Sequence, residues 1–358
     1  MNHHRKRFHT FLLLNPAVGF VLISGMVFVL VSLILLFSGV NPISAYALLA
    51  DGSLGSLSYL GHVIKSWIPL TLCSIGLIYT FRINLWNIGI EGQVVMGAVC
   101  CTAFFRFFPD PSHSFFFLVI ALITAMIGGA LWAVIAGLLK TACGVNEIFA
   151  GLGLNFVSQG LVLWLIFGPW KRPGIASMSG TTTISSAYIL PESGAVHMPF
   201  LALFLVISSL TLSFIVIRYS LFGLSLKAAG KNSSASLLLG LKPARLMIIA
   251  LASCGALAGL AGFFQVGGVY HRLIPSVSSN YGYLAILVVL LSGYDLRYVP
   301  GISFFFACLN VGSIQLPMVL QMDSSLSGVI QGLFVLFYLL FLSIKNRFLT
   351  PVKEAENE

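Results

Sequence analysis

The sequence predicts an all-α integral membrane protein, a polytopic bundle of about ten transmembrane helices with broken helices near a central pathway. The first reason is composition: 58% of the 358 residues are hydrophobic and only 8% are charged, with a mean hydropathy of +1.00. The second is the presence of many apolar runs of about 20 residues, the length that crosses a bilayer core. The third is that runs such as 18–37 and 200–217 lack the alternation expected of barrel strands. Lipid-spanning helices are therefore expected.

The apolar runs define the order of the predicted elements. Residues 1–16 form a predicted cytoplasmic N-terminus, residues 17–344 the transmembrane domain, and residues 345–358 a charged cytoplasmic tail. The first run is longer than the 7 to 15 residues or so of a signal-peptide core, which predicts an uncleaved anchor. The predicted helices lie near 17–37, 63–80, 92–108, 115–139, 147–167, 199–217, 245–265, 282–293, 299–317 and 326–344.

The distribution of Lys and Arg predicts the orientation of the chain. If the N-terminus is cytoplasmic, about fourteen of the 19 basic residues fall on the cytoplasmic side, as the positive-inside rule expects. An even number of helices then places both termini in the cytoplasm. The membrane that we expect for such a helical bundle is the cell inner membrane. The net charge of +9 follows from this topology. A nucleic-acid partner would need basic residues clustered on one soluble face, so none is expected.

Two loops are long enough to do more than connect helices. The predicted outer loop, 168–198, is rich in Gly, Pro, Ser and Thr, which favours an ordered irregular lid or a docking surface for a soluble partner. The predicted inner loop, 218–244, holds four basic residues, and Pro243 stops any helix before the next span. Within it, residues 224–239 are rich in Leu and Ala between two glycines, which predicts a short helix along the membrane surface. A simple linker is the alternative.

A polar segment at 82–93 interrupts the apolar pattern and carries the first candidate pathway residues. Ionisable side chains at membrane depth cost about 2.5 to 3.5 kcal/mol, so they usually face a cavity, a partner or a pathway. Gly89 and Gly92 flank Glu91 and would permit a broken helix there. A solvated cytoplasmic turn is the alternative. The candidate pathway residues in this segment are Asn84, Asn87, Glu91 and Gln93.

Further polar residues fall in two other regions. Asn146 opens the fifth predicted span, and Asn155 and Gln159 share one face of it at a spacing of four residues. They either line the same pathway or form hydrogen bonds between helices. Gln265 begins a second polar break, 265–283, at a place loosely similar to the first break, which hints at two related bundles. Gly255, Gly259 and Gly262 predict a small-residue face for close helix packing.

The sequence lacks the motifs of a catalytic protein. The stretch AAGKNS does not satisfy the pattern of a nucleotide-binding loop, because Ser225 and Asn232 stand where Gly and Ser or Thr are required. No zinc-protease or nucleophile-elbow motif is present. We therefore expect no catalytic residue, no metal and no cofactor. The energy for any transport would have to come from a partner.

Six stretches resemble a known family. They are NLWNIGIEGQVVMGA, GVNEIFAGLGLNFV, GPWKRPG, FGLSLKAAGKNSSASLLLGL, GALAGLAGFFQVGGVYHRL and SGVIQGLFVLF. Together they are similar to the permease subunits of bacterial ABC importers of the nucleoside type, in the branched-chain amino acid and ribose permease superfamily. The N-I-G-x-E-G-Q core, complete at residues 87–93, is the strongest match.

The resemblance implies partners and a division of roles. It implies an importer built from two permeases, often non-identical, an ATP-binding cassette ATPase and an extracytoplasmic substrate-binding lipoprotein, with this chain as one half-channel. The inner loop is similar to the segment that docks on the ATPase, and ATP-driven closure of the ATPases would push it and rock the spans around the pathway. The implied coupling residues are Gly223, Lys227, Gly230, Asn232, Ala235 and Gly240.

The expected substrate is a nucleoside-like small molecule, with riboflavin or a sugar as alternatives in the same role. A different class of function is a self-sufficient, proton-coupled carrier in which Glu91 takes the proton. A third is a membrane scaffold that transports nothing. The permease interpretation predicts no transport without an ATPase, and the carrier predicts transport by this chain alone.

Overall fold

The computed structural model describes residues 16–37, 39–109, 114–174, 180–192 and 199–320, and within 328–340 the helical residues 328–330, 332–333, 336–337 and 340. Throughout these ranges the regular secondary structure is helical and contains no strand. A helix satisfies its backbone hydrogen bonds within its own segment, as hydrocarbon surroundings require. The helical fold class predicted from the sequence is confirmed.

The helices are numbered here along the chain. They are α1 Pro16–Phe37, α2 Pro42–Leu54, α3 Leu57–Arg82, α4 Ile90–Phe107, α5 Ser114–Thr141, α6 Glu147–Phe167, α7 Phe200–Tyr219, α8 Leu221–Lys231, α9 Ser233–Leu238, α10 Pro243–Phe264, α11 Tyr281–Leu291, α12 Val299–Gly312 and α13 Gln315–Leu320. A one-turn 3₁₀ helix covers Ser186–Tyr188, and a π-helix, Gln265–Tyr270, continues α10.

Among the described residues, seven helices are long and apolar enough to cross a membrane, or eight if α1 and α2 form one bent span. Nine of the ten predicted runs overlap these helices or the short apolar α11, and the tenth, 326–344, lies largely outside the described residues. Helix α2 was not predicted. It begins with Asn41, whose side-chain oxygen accepts the backbone N–H of Ile43 at 3.0 Å, followed by Pro42 at the first helical position.

The chain divides into two compact units, and Leu60–Ala307 forms the larger. At its centre α4, α5 and α10 pack against one another through glycines. A Cβ atom added at Gly259 would lie 2.1 Å from the carbonyl oxygen of Ala125, and one added at Gly262 would lie 2.2 Å from that of Val94. The predicted small-residue face of α10 is confirmed, because only glycine permits backbones to approach this closely.

The smaller unit contains the described residues before Leu60 and after Ala307. Helix α2 packs there against α1 and α13. The Tyr46 hydroxyl donates to the carbonyl of Phe28 at 2.8 Å, and their rings meet edge to face at 5.2 Å. A Cβ atom at Gly312 would lie 2.3 Å from the Leu49 carbonyl oxygen. Close packing of small and aromatic residues holds this unit together.

The described parts of the predicted outer loop are 168–174 and 180–192, and the second part is irregular apart from the 3₁₀ turn, as the sequence indicated. It runs alongside the chain that follows α10: the backbone N–H groups of Thr181 and Ile184 donate to the carbonyls of Leu273 and His271, each at 2.9 Å. Tyr188 is fully buried, and its hydroxyl donates to the carbonyl of Phe108. The segment therefore covers the break between the π-helix and α11.

The prediction of one helix over residues 224–239 is wrong, because two helices cover this segment. Helix α8 ends at Lys231 and α9 starts at Ser233, with Asn232 between them in extended backbone. The Asn232 side-chain oxygen accepts the backbone N–H of Ala235 at 2.9 Å. Asn caps a new helix better than it continues an old one, because its short side chain competes for backbone hydrogen bonds.

Candidate functional site

Two interruptions of the helical backbone lie in the unit Leu60–Ala307. The first joins α3 to α4, and Asn84 adopts a left-handed conformation there with φ 60°. The second joins the π-helix to α11, with left-handed His271, Ser279 and Asn280. Non-helical backbone between spans is tolerated where it is buried in protein or lines a cavity. These interruptions correspond to the two polar breaks seen in the sequence.

Glu91, in the first turn of α4, connects the two breaks. Its side chain is buried, 7% exposed, and one carboxylate oxygen accepts the backbone N–H of Gly282 at 2.8 Å. The other accepts the hydroxyl of Ser278. The carboxylate thus caps the N-terminal turn of α11, where free N–H groups and the helix dipole favour a negative charge. The hydrogen bonds from Ser278 and Gly282 offset the free-energy cost of burying the carboxylate.

Asn155 on α6 ties the first break to α11. Its side-chain oxygen accepts the backbone N–H of Gly92 at 2.8 Å, while its amide nitrogen donates to the carbonyl of Ile88 at 2.9 Å and the hydroxyl of Tyr283 at 3.1 Å. A side chain at Gly92 would fill this space, since a Cβ would lie 2.8 Å from the Asn155 oxygen. Asn155 therefore makes the interhelical hydrogen bonds of one alternative, and it also borders a cavity, while its place in a transport pathway stays a prediction.

Asn87 and Gln93 form a buried amide pair. Each amide nitrogen donates to the oxygen of the other, at 3.1 and 3.0 Å, and Asn87 also donates to the sulfur of Cys254 at 3.1 Å. Asn87 is 4% exposed and Gln93 1% exposed. The pair holds the α3–α4 connection against the first turn of α4. It also provides hydrogen-bond partners for two buried amides, which surrounding hydrocarbon could not provide.

A cavity of about 250 Å³ opens where these elements meet. Glu91 and Asn155 lie in its wall. Ser276 and Asn280 are exposed, and their side chains make no hydrogen bond to any other residue that the structure describes. The full lining is Glu91, Val95, Asn155, Phe156, Ser158, Gln159, Ser276, Ser278, Ser279, Asn280 and Tyr283. The wall thus offers amides, hydroxyls and two aromatic rings to a ligand.

The other candidate pathway residues do not line this cavity. Asn84 is exposed at the first break. Asn146 precedes α6, and its side-chain oxygen accepts the backbone N–H of Ile148 at 2.9 Å. Gln265 is buried at the start of the π-helix, with its amide nitrogen 3.5 Å from the hydroxyl of Ser279. Asn87 and Gln93 bond each other. These residues shape the breaks, and Glu91 and Asn155 reach the cavity.

Several cavity residues were not singled out by the sequence. Ser276, Ser278, Asn280 and Tyr283 belong to the stretch PSVSSNYGY, which counted only as part of a polar break. The available signal was a run of Ser and Asn immediately before an apolar segment, which is typical of a helix start. The sequence could not show that these residues lie close to Glu91, because Ser278 and Glu91 are 187 positions apart in the chain.

The candidate coupling residues lie on and around α8 and α9. A Cβ atom at Gly223 would lie 2.3 Å from the Ile217 carbonyl oxygen, and one at Gly230 would lie 2.3 Å from that of Arg82. Helix α8 is thereby pressed against the ends of α7 and α3. Lys227 and Ala235 are exposed, and Gly240 is left-handed with φ 79° at the turn after α9. Leu237, Leu238 and Leu239 form an exposed apolar knob, between 59% and 91% exposed.

A multi-pass helical bundle with a polar cavity beside the α3–α4 and π-helix–α11 connections, and with three exposed leucines around the end of α9, is typical of a membrane transport protein. The family of permease components of the branched-chain amino acid transport system matches residues 59–339, and the chain belongs to this family. It is therefore a permease subunit and a multi-pass membrane protein.

Individual relatives cover most of the chain. It is 27% identical over 311 residues to the guanosine ABC transporter permease protein NupP of Bacillus subtilis, covering 86% of this chain and 88% of that one. It is 26% identical over 297 residues to the nucleoside ABC transporter permease protein NupB of Lactococcus lactis, covering 80% of each. It is 27% identical over 308 residues to the glucose ABC transporter permease protein TsgB13 of Haloferax volcanii, covering 83% of this chain and 80% of that one.

Proposed function

We propose that this permease is one half-channel of an ABC importer and conducts a nucleoside. Its partners in this proposal are a second, non-identical permease, an ATP-binding cassette ATPase that supplies the energy, and an extracytoplasmic substrate-binding lipoprotein. The chain sits in the cell inner membrane with both termini and the 218–244 loop cytoplasmic, and with the 168–198 loop outside. The relatives named as ABC permeases support this assembly, and the sequence contains no nucleotide-binding loop of its own.

The observation that carries the substrate proposal is the lining of the 250 Å³ cavity. Phe156 is 77% exposed and Tyr283 38% exposed, so both rings are available to stack on a flat base. Ser276 and Asn280 supply hydroxyl and amide groups that match ribose hydroxyls and base edges. Two of the named relatives are permeases for guanosine and for nucleosides, which agrees with this chemistry.

The substrate is tested by uptake of radiolabelled nucleosides, glucose and riboflavin into vesicles that contain the assembled transporter and ATP. We expect nucleoside uptake, and we expect Phe156→Ala to raise its half-saturating concentration by about 5- to 150-fold, since stacking on an aromatic ring contributes about 1 to 3 kcal/mol per base. Phe149→Ala is the matched control, because Phe149 is 72% exposed on the same helix and lies outside the cavity lining. Equal effects of both substitutions would refute stacking in the cavity.

The alternative substrates give different results in the same assay. Riboflavin also presents a flat ring, and one relative is named as a probable riboflavin import permease, of Treponema pallidum. If only riboflavin is taken up, and Phe156→Ala raises its half-saturating concentration in the same way, the ligand is riboflavin and the proposed stacking site stands. A sugar has no flat ring to stack, so glucose uptake that is unaffected by Phe156→Ala would overturn the nucleoside proposal.

The proton-coupled carrier is the alternative from another class. It requires Glu91 to exchange a proton during transport. In the geometry described above, Ser278 and the N–H of Gly282 both donate to this carboxylate, an arrangement that stabilises a fixed anion at a helix start. Vesicles with the permeases but without the ATPase decide between the two: uptake that persists and stops when the proton gradient is collapsed would replace the importer with the carrier.

Coupling to the ATPase is assigned in this proposal to α8, α9 and the turn at Gly240. The exposed leucines 237–239 would insert into an apolar groove of the ATPase, with Lys227 near the contact. Reversing the charge in Lys227→Glu is expected to reduce nucleoside-stimulated ATP hydrolysis while the purified permease keeps its melting temperature. Arg245→Glu, a charge reversal at an exposed position in α10 beyond the 218–244 loop, is the control. If both variants remain fully coupled, Lys227 has no role in docking.

A further inference from the structure

A second and larger cavity, of about 410 Å³, lies away from the candidate substrate site. It is bounded by the ends of α3 and α7, by α8 and by the turn that precedes α12. Its residues are Arg82, Phe214, Ile217, Arg218, Gly223, Leu224, Lys227, Gly293, Tyr294, Asp295, Leu296 and Arg297. None of these residues lines the smaller cavity.

The charge of this cavity is strongly positive. Four basic side chains line the cavity with one carboxylate, and that carboxylate is already paired: Arg297 donates to Oδ1 of Asp295 at 3.1 Å and to Oδ2 at 2.6 Å. Arg218 and Lys227 form no ion pair or hydrogen bond with any residue in the described ranges. An excess of about three positive charges in a recess attracts anions.

The depth of the cavity in the membrane follows from the ends of the helices. Arg82 is the last residue of α3 and Arg218 the next to last residue of α7, so both guanidinium groups belong at the level of the lipid headgroups. Phe214 lies one turn deeper in α7. Tyr219 and Tyr294 are exposed at the same end, 72% and 42%, as expected for aromatic side chains at a membrane interface.

We propose that this cavity binds the phosphate headgroup of an anionic phospholipid. The guanidinium groups of Arg82 and Arg218 take the phosphate at headgroup depth, and Phe214, one turn deeper in α7, contacts the first part of an acyl chain below it. Basic pockets between the ends of spans bind lipid phosphates by this combination of charge and depth. An acidic protein segment would match the charges alone, whereas a phospholipid also matches the apolar wall. The proposal does not depend on which molecule is transported.

The experiment measures lipid retention by the assembled transporter. The complex is placed in nanodiscs of phosphatidylcholine that contain a minority of phosphatidylglycerol, extracted gently and analysed for bound lipid. Wild type is expected to retain phosphatidylglycerol over phosphatidylcholine relative to the bulk mixture. Arg218→Gln is expected to reduce this enrichment by about fivefold, the contribution of one basic residue near a charged surface.

Two further variants serve as controls, one outside the cavity and one that conserves the charge of Arg218. Arg245→Gln removes an exposed charge from the first turn of α10, outside the cavity, and should retain wild-type enrichment. Arg218→Lys keeps the charge and should restore most of the enrichment that Arg218→Gln loses, which also separates binding from misfolding. Equal enrichment in Arg218→Gln and Arg245→Gln overturns the proposal. Weakened ATPase binding in Arg218→Gln with unchanged lipid retention also overturns it, in favour of an acidic protein partner.

Discussion

The carboxylate of Glu91 accepts the backbone N–H of Gly282 at 2.8 Å, although the two residues are 191 positions apart in the sequence. This contact joins the helix that begins after the first break to the helix that begins after the second. One buried charge therefore fixes the distance between the two interrupted spans, and the cavity opens beside it. Glu91 therefore has both a packing role and a position in the cavity wall.

Replacing Glu91 should destabilise the protein in proportion to the hydrogen bonds lost. Glu91→Leu leaves the N–H of Gly282 and the hydroxyl of Ser278 without an acceptor, which should cost about 3 kcal/mol or more. Glu91→Gln can keep one acceptor toward Gly282 but loses the charge, so a smaller cost of about 1 to 2 kcal/mol is expected. Thermal unfolding of the purified protein in detergent measures the order.

Glu192→Gln is the control for this series. Glu192 pairs with Lys65 at 2.5 Å, and both side chains are partly exposed, 22% and 17%. Such a pair contributes about 1 kcal/mol or less, so the melting temperature should change little. If Glu91→Leu is as stable as Glu192→Gln, Glu91 is not a structural cap, and a role in proton transfer becomes the better explanation for its position.

Gly282→Ala should be among the most damaging small substitutions in the chain. A Cβ atom there would lie 2.5 Å from a carboxylate oxygen of Glu91 and 2.7 Å from the Glu91 backbone nitrogen. The backbone nitrogen cannot move away as a flexible side chain could, so α4 and α11 must separate. Overpacking of this kind typically costs about 1 to 3 kcal/mol, and uptake should fall with stability.

Gly153→Ala provides the comparison. Gly153 is an exposed glycine in α6, and a Cβ atom there would meet nothing within 4 Å. A gain of about 0.5 to 1 kcal/mol is expected from the better helix propensity of Ala. Melting temperatures of the two variants, measured side by side, test whether the contact or glycine itself is responsible. Similar losses in both would contradict the role of the Glu91 contact.

Much of the helical pattern was available from the sequence, because an apolar run long enough to span lipid has few structural alternatives. Helices α3 to α7 and α10 lie where the runs were, and the small-residue face of α10 packs as predicted. Helix α2 was missed because PISAYALLADGSL mixes polar and apolar residues and is too short for a span. The inner helix was predicted as one element because the capping role of Asn232 was not recognised.

The cavity was less accessible to sequence reasoning. The cost of burying polar groups selected Glu91 and Asn155, which line the cavity, and equally Asn87 and Gln93, which form hydrogen bonds with each other. Sequence spacing does not tell whether two amides face a ligand or one another. Ser278 and Tyr283 became relevant only through contacts across the fold. Such pairings depend on tertiary packing, which local pattern does not determine.

The Asn87 and Gln93 amide pair should behave as one energetic unit. Asn87→Ala leaves both polar atoms of Gln93 without this partner, and Gln93→Ala leaves the Asn87 oxygen without its donor while the bond to Cys254 remains, so each single substitution should cost about 1 to 3 kcal/mol. The double variant should cost clearly less than the sum, with a coupling of about 0.5 to 3 kcal/mol. A double-mutant cycle from unfolding in detergent measures this. Additive losses would show that the two amides act independently.

The Asp295 and Arg297 pair should give a small stability term that depends on pH. The hydrogen bonds from Arg297 hold the pKa of the Asp295 carboxyl below its ordinary value of 3.8. The folded state therefore favours the charged carboxylate, so the contribution is complete above about pH 4 and is lost as the pH falls through the lowered pKa. Because both side chains are partly exposed, 33% and 60%, it should not exceed about 1 kcal/mol.

Asp295→Asn tests this term by comparison with wild type between pH 7 and pH 3. The variant should melt at a slightly lower temperature at pH 7, and the difference should shrink toward zero as wild-type Asp295 becomes protonated. Salt should reduce the difference at pH 7, since exposed charges are screened. A difference that stays constant down to pH 3 would mean that Asn disturbs the turn before α12 itself, where Asp295 also accepts the backbone N–H of Arg297 at 3.0 Å.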